Sequence, residues 1–195
     1  MDIDEVRDEA DRITLSLEGA ERRTAFRRLV DSLAPGETGR AEFACELADY
    51  LALDGQLDEA RQAYRDAIAD GGLTSLDPRT GLLSVELAAG DEEASAALLS
   101  ELLAATRTGS LGAVNIEWVG DLLEEQGRLK EAHRWFTIPL RDVDPDDLDQ
   151  LPPGCLNGRY RVRRALDLPV DRYDEAALEV QAFYREQSAP RDLQD

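Results

Sequence analysis

Histidine and lysine each occur once in this sequence, as His133 and Lys130, and cysteine occurs twice. Serine and cysteine nucleophiles usually depend on a histidine base, and zinc sites are usually built from several histidine and cysteine ligands. His133 directly follows Ala132, and helical periodicity places it on the solvent side of its helix. The scarcity of these side chains predicts no catalytic residue, no metal site and no cofactor, and we expect a protein that is not an enzyme.

The two cysteines, Cys45 and Cys155, lie far apart in the chain, and neither belongs to a CxxC motif. This arrangement predicts two reduced thiols without a defined role, and a disulfide or a shared metal is the alternative. The motifs GxGxxG, GxxxxGK[ST] and GxSxG, which bind nucleotides or carry a nucleophilic serine, do not occur. Their absence argues against an enzyme without excluding one.

Long hydrophobic runs are missing as well. The apolar stretches are only a few residues long, whereas a membrane-spanning helix needs about 20 apolar residues. The amino terminus, MDIDEVRDEADR, is acidic and has no apolar segment of the kind found in secretory signals. We therefore expect a cytoplasmic protein with no membrane partner.

Negative charge predominates, since the formal net charge is −20 and the isoelectric point is near 4.3. Nucleic-acid binding depends on basic side chains that displace counterions from phosphates, so this balance disfavours a nucleic-acid partner. Arginine supplies all but one of the 22 basic residues, and alanine is abundant, which is typical of a high-GC bacterial genome. Hydrophobic residues make up 43% of the chain, enough to build a core.

An internal repeat is the most informative pattern that is present. Residues 55–64, GQLDEARQAY, align with residues 127–136, GRLKEAHRWF. The shared positions are Gly55, Leu57, Ala60 and Tyr64 in the first copy and Gly127, Leu129, Ala132 and Phe136 in the second. Apolar and small residues upstream also match, namely Ala44, Leu47, Ala48 and Leu51 with Ile116, Val119, Gly120 and Leu123. Their spacing of three and four places them on one face of a helix.

These residues resemble the tetratricopeptide repeat, in which a helix with a W-x2-L-G-x2-Y pattern precedes a second helix with A-x3-F. Gly90 lies between the two turn glycines at spacings that leave room for one degenerate copy, in which Asp77 and Pro78 begin a helix and Asp91 caps the next. The resemblance implies an all-α fold, an α-solenoid of antiparallel helix hairpins with about ten helices.

The predicted organisation has a terminal helix pair at each end of the repeats. The segments are 1–38 for the amino-terminal helix pair, 39–73, 74–108 and 109–142 for the repeats (39–142 together), and 143–195 for an acidic linker and a capping helix pair. Pro139 interrupts the second helix of the last repeat, because proline lacks the N–H group and clashes with the preceding turn. We expect that helix to end or kink there and the chain to leave the regular stack.

Two charged segments could suggest ion or nucleic-acid binding. An acidic run begins at Asp142, but a calcium loop needs glycine at its sixth position and glutamate at its twelfth, where Asp147 and Pro153 stand. The basic run contains Arg159, Arg161, Arg163 and Arg164. Its arginines either contact nucleic acid or phosphate, or pair with neighbouring acidic helices, and the acidic background favours the second interpretation. The segment ERRTAFRR, which starts at Glu21, is a weaker basic cluster of the same kind.

In the tetratricopeptide family the first helix of each repeat lines a concave groove that receives a peptide. The residues at the matching positions are Glu42, Cys45, Asp49 and Ala52 in one copy and Val114, Glu117, Asp121 and Glu124 in the other, with Trp118 beside the second set. Trp118 is either a binding anchor or a core residue. Because acidic side chains predominate, the groove would attract a basic or amphipathic segment.

The sequence therefore predicts a non-enzymatic protein-interaction scaffold that binds a protein or peptide. Two alternatives remain at this point: a regulatory module that contacts nucleic acid or phosphate through its arginine run, and an enzyme or small-ligand binder without a recognisable motif. The sequence does not predict the identity of the partner or the oligomeric state.

Overall fold

A computed structural model describes residues 2–188, which form ten α-helices and two short 3-10 helices and contain no β-strand. The α-helices are α1 Ile3–Ser16, α2 Gly19–Ser32, α3 Arg40–Leu53, α4 Leu57–Asp70, α5 Pro78–Ala89, α6 Glu92–Thr108, α7 Ala113–Glu125, α8 Leu129–Thr137, α9 Pro153–Ala165 and α10 Arg172–Ser188. Over this range the all-α prediction and the expected number of helices are confirmed. In the same residues, every helix is too short or too polar to cross a membrane.

The contacts divide the chain into two compact units, Met1–Thr108 and Gly109–Asp195. In the first unit each helix from α1 to α6 packs against the next one, and α3 also contacts both α1 and α5. In the second unit α7, α8, α9 and α10 pack in the same consecutive way, and α7 also contacts α9. Within each unit this is the packing of an α-solenoid, in which a first helix contacts the first helix of the neighbouring hairpin. The predicted segment boundaries stay a prediction.

Four first helices end in the same turn. After α3, α5 and α7 a glycine takes a positive φ, at Gly55, Gly90 and Gly127, and after α9 Asp167 does so with a φ of 55°. In each turn the next amide donates a hydrogen bond to the carbonyl five residues back. The pairs are Gln56 to Leu51, Asp91 to Glu86, Arg128 to Leu123 and Leu168 to Arg163, with N···O distances of 2.8–3.0 Å. The shared turn makes α3–α4, α5–α6, α7–α8 and α9–α10 equivalent hairpins.

The aromatic residue of each clear repeat copy fills a space that glycine leaves open. The Tyr64 ring lies against Gly81 on α5, and the Phe136 ring lies between Gly120 on α7 and Gly158 on α9. A Cβ atom at any of these glycines would overlap the ring. The aromatic side chain on a second helix therefore packs against the first helix of the following hairpin in both copies, which explains the small residues in the pattern.

Pro139 ends α8 as expected. The helix stops at Thr137, and Ile138–Leu140 forms a 3-10 turn that contains the proline. Leu140 is buried in a cluster with Leu151, Leu156 and Val180. The chain therefore leaves the regular hairpin at the proline and is held by apolar contacts with α9 and α10. The caps predicted at Asp77 and Asp91 are also present, since both residues accept amide hydrogen bonds at the starts of α5 and α6, and Asp171 does the same at the start of α10.

Candidate binding surface on the second unit

Helix α7 exposes two large apolar side chains on one face. Its opposite face is buried and supplies Ile116, Val119 and Leu123 to the core. Val114 and Trp118, one helical turn apart, remain 65% and 44% exposed. Trp118 is therefore a surface residue of this unit. A tryptophan and a valine side by side on a helix surface are more typical of a contact site than of a solvated face.

Three carboxylates border these apolar side chains. Glu117, Asp121 and Glu124 are half-buried and follow one another at helical spacing on α7. The Glu117 carboxylate lies against Gly154, the second residue of α9, where a Cβ atom would overlap it. Burial raises the pKa of Glu117 and Asp121 above the usual range, and Asp121 adds to the rise at Glu117, whereas Arg161 opposes it at both. The name "α7 surface" denotes these three residues together with Val114 and Trp118.

Arg161 on α9 is the counter-ion of the α7 surface. Its guanidinium lies 2.8 Å from Asp121 Oδ1 and 2.8 Å from Glu124 Oε2. The side chain is still 51% exposed, so these ion pairs are reachable from solvent. Arg161 and Asp121 each stand six residues before the positive-φ residue of their own turn, Asp167 and Gly127. They therefore occupy the same position in neighbouring hairpins, which is why they meet.

The other arginines of the basic run are engaged differently. Arg159 is buried and donates to Asp171 at 2.6 Å and to Asp174 at 3.3 Å. Arg163, also largely buried, donates to Asp174 at 3.0 Å. These two arginines connect α9 to the start of α10, as the ion-pair interpretation of the run expects. Arg164 is exposed and, within residues 2–188, reaches only the hydroxyl of Tyr160, at 3.5 Å. Little of the run's positive charge is left for a phosphate backbone.

The position expected for His133 is wrong. The residue is half-buried rather than on the solvent side of α8, and its Nε2 atom is enclosed without a hydrogen-bond partner. Burial lowers the pKa of His133, and the nearby Arg159 and Arg163 lower it further, while Asp171 and Asp174 oppose this. Because α9 packs against α8, a prediction from one helix alone misses the cover. The structure brings no nucleophile to the ring within the described residues.

The first-unit residues assigned to the groove are partly committed to contacts in their own unit. Glu42 is buried and accepts hydrogen bonds from the amide and hydroxyl of Ser75. Asp49 accepts a hydrogen bond from the Tyr64 hydroxyl. Cys45 is half-buried, and burial raises the pKa of its thiol. That these residues and the α7 surface form one groove stays a prediction.

A polar cleft of about 490 Å³ lies beside α2 in the first unit and is lined by Arg23, Arg27 and Arg28 of the weaker basic cluster. Arg23 pairs with Asp54, and Arg27 pairs with Glu59 at 3.0 Å. Asp31 and Glu59 also line the cleft. Its walls therefore carry both signs of charge, and the cleft is a weaker binding candidate than the α7 surface.

The two cysteines and the acidic loop were the remaining candidates for a catalytic or metal site. Cys45 and Cys155 are free thiols, and burial raises the pKa of Cys155 to about 12, so the thiolate nucleophile is disfavoured. In the acidic loop Asp144 and Asp146 pair with Arg172 at 3.2 and 2.8 Å. Within residues 2–188 no group of three or more histidine, cysteine or carboxylate side chains is arranged to hold a metal ion.

Sequence reasoning missed two informative residues, one in each unit. It treated Arg161 as one member of a basic run and did not connect it with Asp121, 40 positions earlier. Asp167 could have revealed this pairing. When Asp167 is aligned with the turn glycines, Arg161 takes the same repeat position as Asp121. It also overlooked Glu46, the first-unit counterpart of Trp118, whose pKa burial and the neighbouring carboxylates raise to about 7.

The fold and this surface together define an all-α protein of stacked helix hairpins with an exposed apolar and acidic helix face. Comparison with protein-family models, with curated proteins and with solved structures gives no significant match for the chain.

Proposed function

We propose that this protein is a tetratricopeptide-like interaction scaffold of the cytoplasm, without enzymatic activity, that binds a basic, amphipathic protein segment on the α7 surface. The observation that carries the proposal is the exposure of Trp118 and Val114 beside three carboxylates on a first helix. Tryptophan is enriched among the residues that dominate interface energetics. Apolar anchors flanked by acidic groups select a partner whose apolar side chains are flanked by lysine or arginine.

The arginine run supports the nucleic-acid alternative less well. Arg159 and Arg163 are largely buried against aspartates, and Arg161 faces two carboxylates. Non-specific nucleic-acid binding needs several basic side chains that are free to approach phosphates. The surface geometry therefore favours a protein segment as the ligand.

A peptide-binding experiment tests this function. The probe is a short, fluorescein-labelled helical peptide that places leucine on one face and arginine beside it, and a peptide with glutamate in place of arginine is its counterpart. Fluorescence anisotropy should show binding of the basic peptide alone. Trp118→Ala should weaken it by about 2 kcal/mol, roughly thirtyfold in Kd. Equal binding of both peptides, or an unchanged Kd for Trp118→Ala, would contradict the proposal.

Charge reversal gives the matched control. Replacing Glu117, Asp121 and Glu124 with lysine should abolish binding of the basic peptide. The same change of charge at Asp8, Glu179 and Glu186, which are exposed on other helices, should leave most of the affinity. If both triple variants lose binding equally, the net charge of the protein and not the α7 surface attracts the peptide.

A further inference from the structure

The α7 surface has three carboxylates and, within the described residues, one arginine at ion-pair distance from them. Arg161 pairs with Asp121 and Glu124, and within the described residues no basic side chain lies at ion-pair distance from Glu117. The surface therefore keeps a net negative charge, and Trp118 on the same helix is exposed. A ligand cation that approaches the α7 surface would find an excess of carboxylates and, on the same helix, an exposed aromatic ring.

From this arrangement, and resting on the proposed function, we infer that Arg161 is a built-in competitor that the arginine of a bound segment displaces from Asp121 and Glu124. The guanidinium of Arg161 donates hydrogen bonds to both carboxylates at 2.8 Å. A ligand arginine would make the same contacts. The position of Arg161 thus shows where a ligand cation would bind and that a guanidinium fits there. Arginine suits this position better than lysine because its planar fork engages two carboxylates and stacks on tryptophan.

Displacement of Arg161 is feasible because its side chain is half exposed. Solvent-accessible ion pairs contribute little to stability, so releasing this side chain to solvent costs little. Arg159 and Arg163 are different, since their partners Asp171 and Asp174 hold them in the interior of the α9–α10 hairpin. Among the described arginines of this run, Arg161 alone forms carboxylate pairs that are open to solvent. Its guanidinium also lies over the Phe136 ring, 5.9 Å from the ring centroid, and displacement gives up this contact without breaking a buried ion pair.

Arg161→Gln tests this inference with the leucine–arginine peptide. Removal of the competitor should lower the Kd of the peptide by about fivefold, the upper range for an exposed ion pair. A matched peptide with citrulline in place of arginine, which has the same shape without the charge, should not gain affinity. Circular dichroism of the variant should match that of the unchanged protein, since Arg161 is a surface residue.

Arg164→Gln is the control variant. This variant removes the same charge three residues further along α9. The Arg164 side chain contacts only Tyr160 in the described structure, so its replacement should change the Kd by less than about twofold. An unchanged or higher Kd for Arg161→Gln, or an equal gain for both variants, would overturn the inference while peptide binding itself stands. No binding to the unchanged protein or to either variant would overturn the proposed function and this inference with it.

Discussion

At the scale of single residues, the environment rather than the residue type decides what a carboxylate does. Helix α3 carries three carboxylates at helical spacing, Glu42, Glu46 and Asp49. Glu42 accepts a hydrogen bond from Ser75, and Asp49 accepts one from Tyr64. Glu46 is half-buried and faces Asp49, Glu42 and Asp11, and Arg22 compensates only in part. The pKa of Glu46 accordingly rises to about 7, chiefly because burial disfavours the charged form.

This pKa predicts a loss of stability as pH increases. The folded protein binds the proton of Glu46 more tightly than the unfolded chain does, so the free energy of unfolding should fall between pH 4.5, the ordinary pKa, and about pH 7, and level off above. Glu46→Gln should reduce this slope and stabilise the first unit at pH 8 by about 1 kcal/mol, after allowing for solvent screening. Hydrogen exchange of α3 amides measures the change.

The exposed Asp8→Asn substitution on α1 serves as the control and should leave the slope intact. Parallel pH profiles for Glu46→Gln and the unchanged protein would show that Glu46 is ionised in the fold throughout this range.

At the scale of helices and turns, periodicity and caps predicted most of the fold. Val6, Ala10 and Ile13, spaced four and three residues apart in the sequence, are buried on one face of α1, and Asp77 with Pro78 begins α5. These features are local, so one stretch of sequence contains the whole signal. The cover over His133 and the pairing of Arg161 with Asp121 depend on residues from other hairpins. Such contacts can be predicted only when the hairpins are aligned with one another. The alignment of the last hairpin was not recognised, because Asp167 stands where the other turns have glycine.

The turn at Asp167 offers a test of this equivalence. Its φ of 55° is a conformation that glycine adopts more readily than a residue with a Cβ atom. Asp167→Gly should therefore stabilise the second unit by about 0.5 kcal/mol, since relief of strain exceeds the added freedom of the unfolded chain. Urea unfolding followed by the fluorescence of Trp118 and Trp135, which both lie in this unit, gives the measurement.

Gly127→Ala is the complementary change at the turn after α7. Its φ of 70° should make alanine unfavourable by about 1 kcal/mol, although no atom obstructs the methyl group. If Asp167→Gly were destabilising instead, the aspartate side chain would itself hold the turn, and the four turns would not be energetically equivalent.

At the scale of the whole molecule, the excess of acidic groups opposes compactness. The formal charge of −20 belongs to a chain of 195 residues, so like charges repel one another in the folded state more than in the expanded one. Local ion pairs offset part of this repulsion. Arg61, for example, donates to the buried Glu86 at 2.8 Å and is well shielded from salt.

Added salt should therefore stabilise the protein. Raising NaCl from about 0.01 M to 0.5 M shortens the Debye length from about 30 Å to below 10 Å, which screens the general repulsion. Exposed ion pairs such as Arg172–Asp146 are also weakened by salt, but they contribute little to stability even at low salt. The thermal midpoint measured by circular dichroism should rise, and equally with choline chloride, because screening depends on ionic strength. A rise with sodium alone would mean cation binding, and a fall would mean that ion pairs outweigh the net charge.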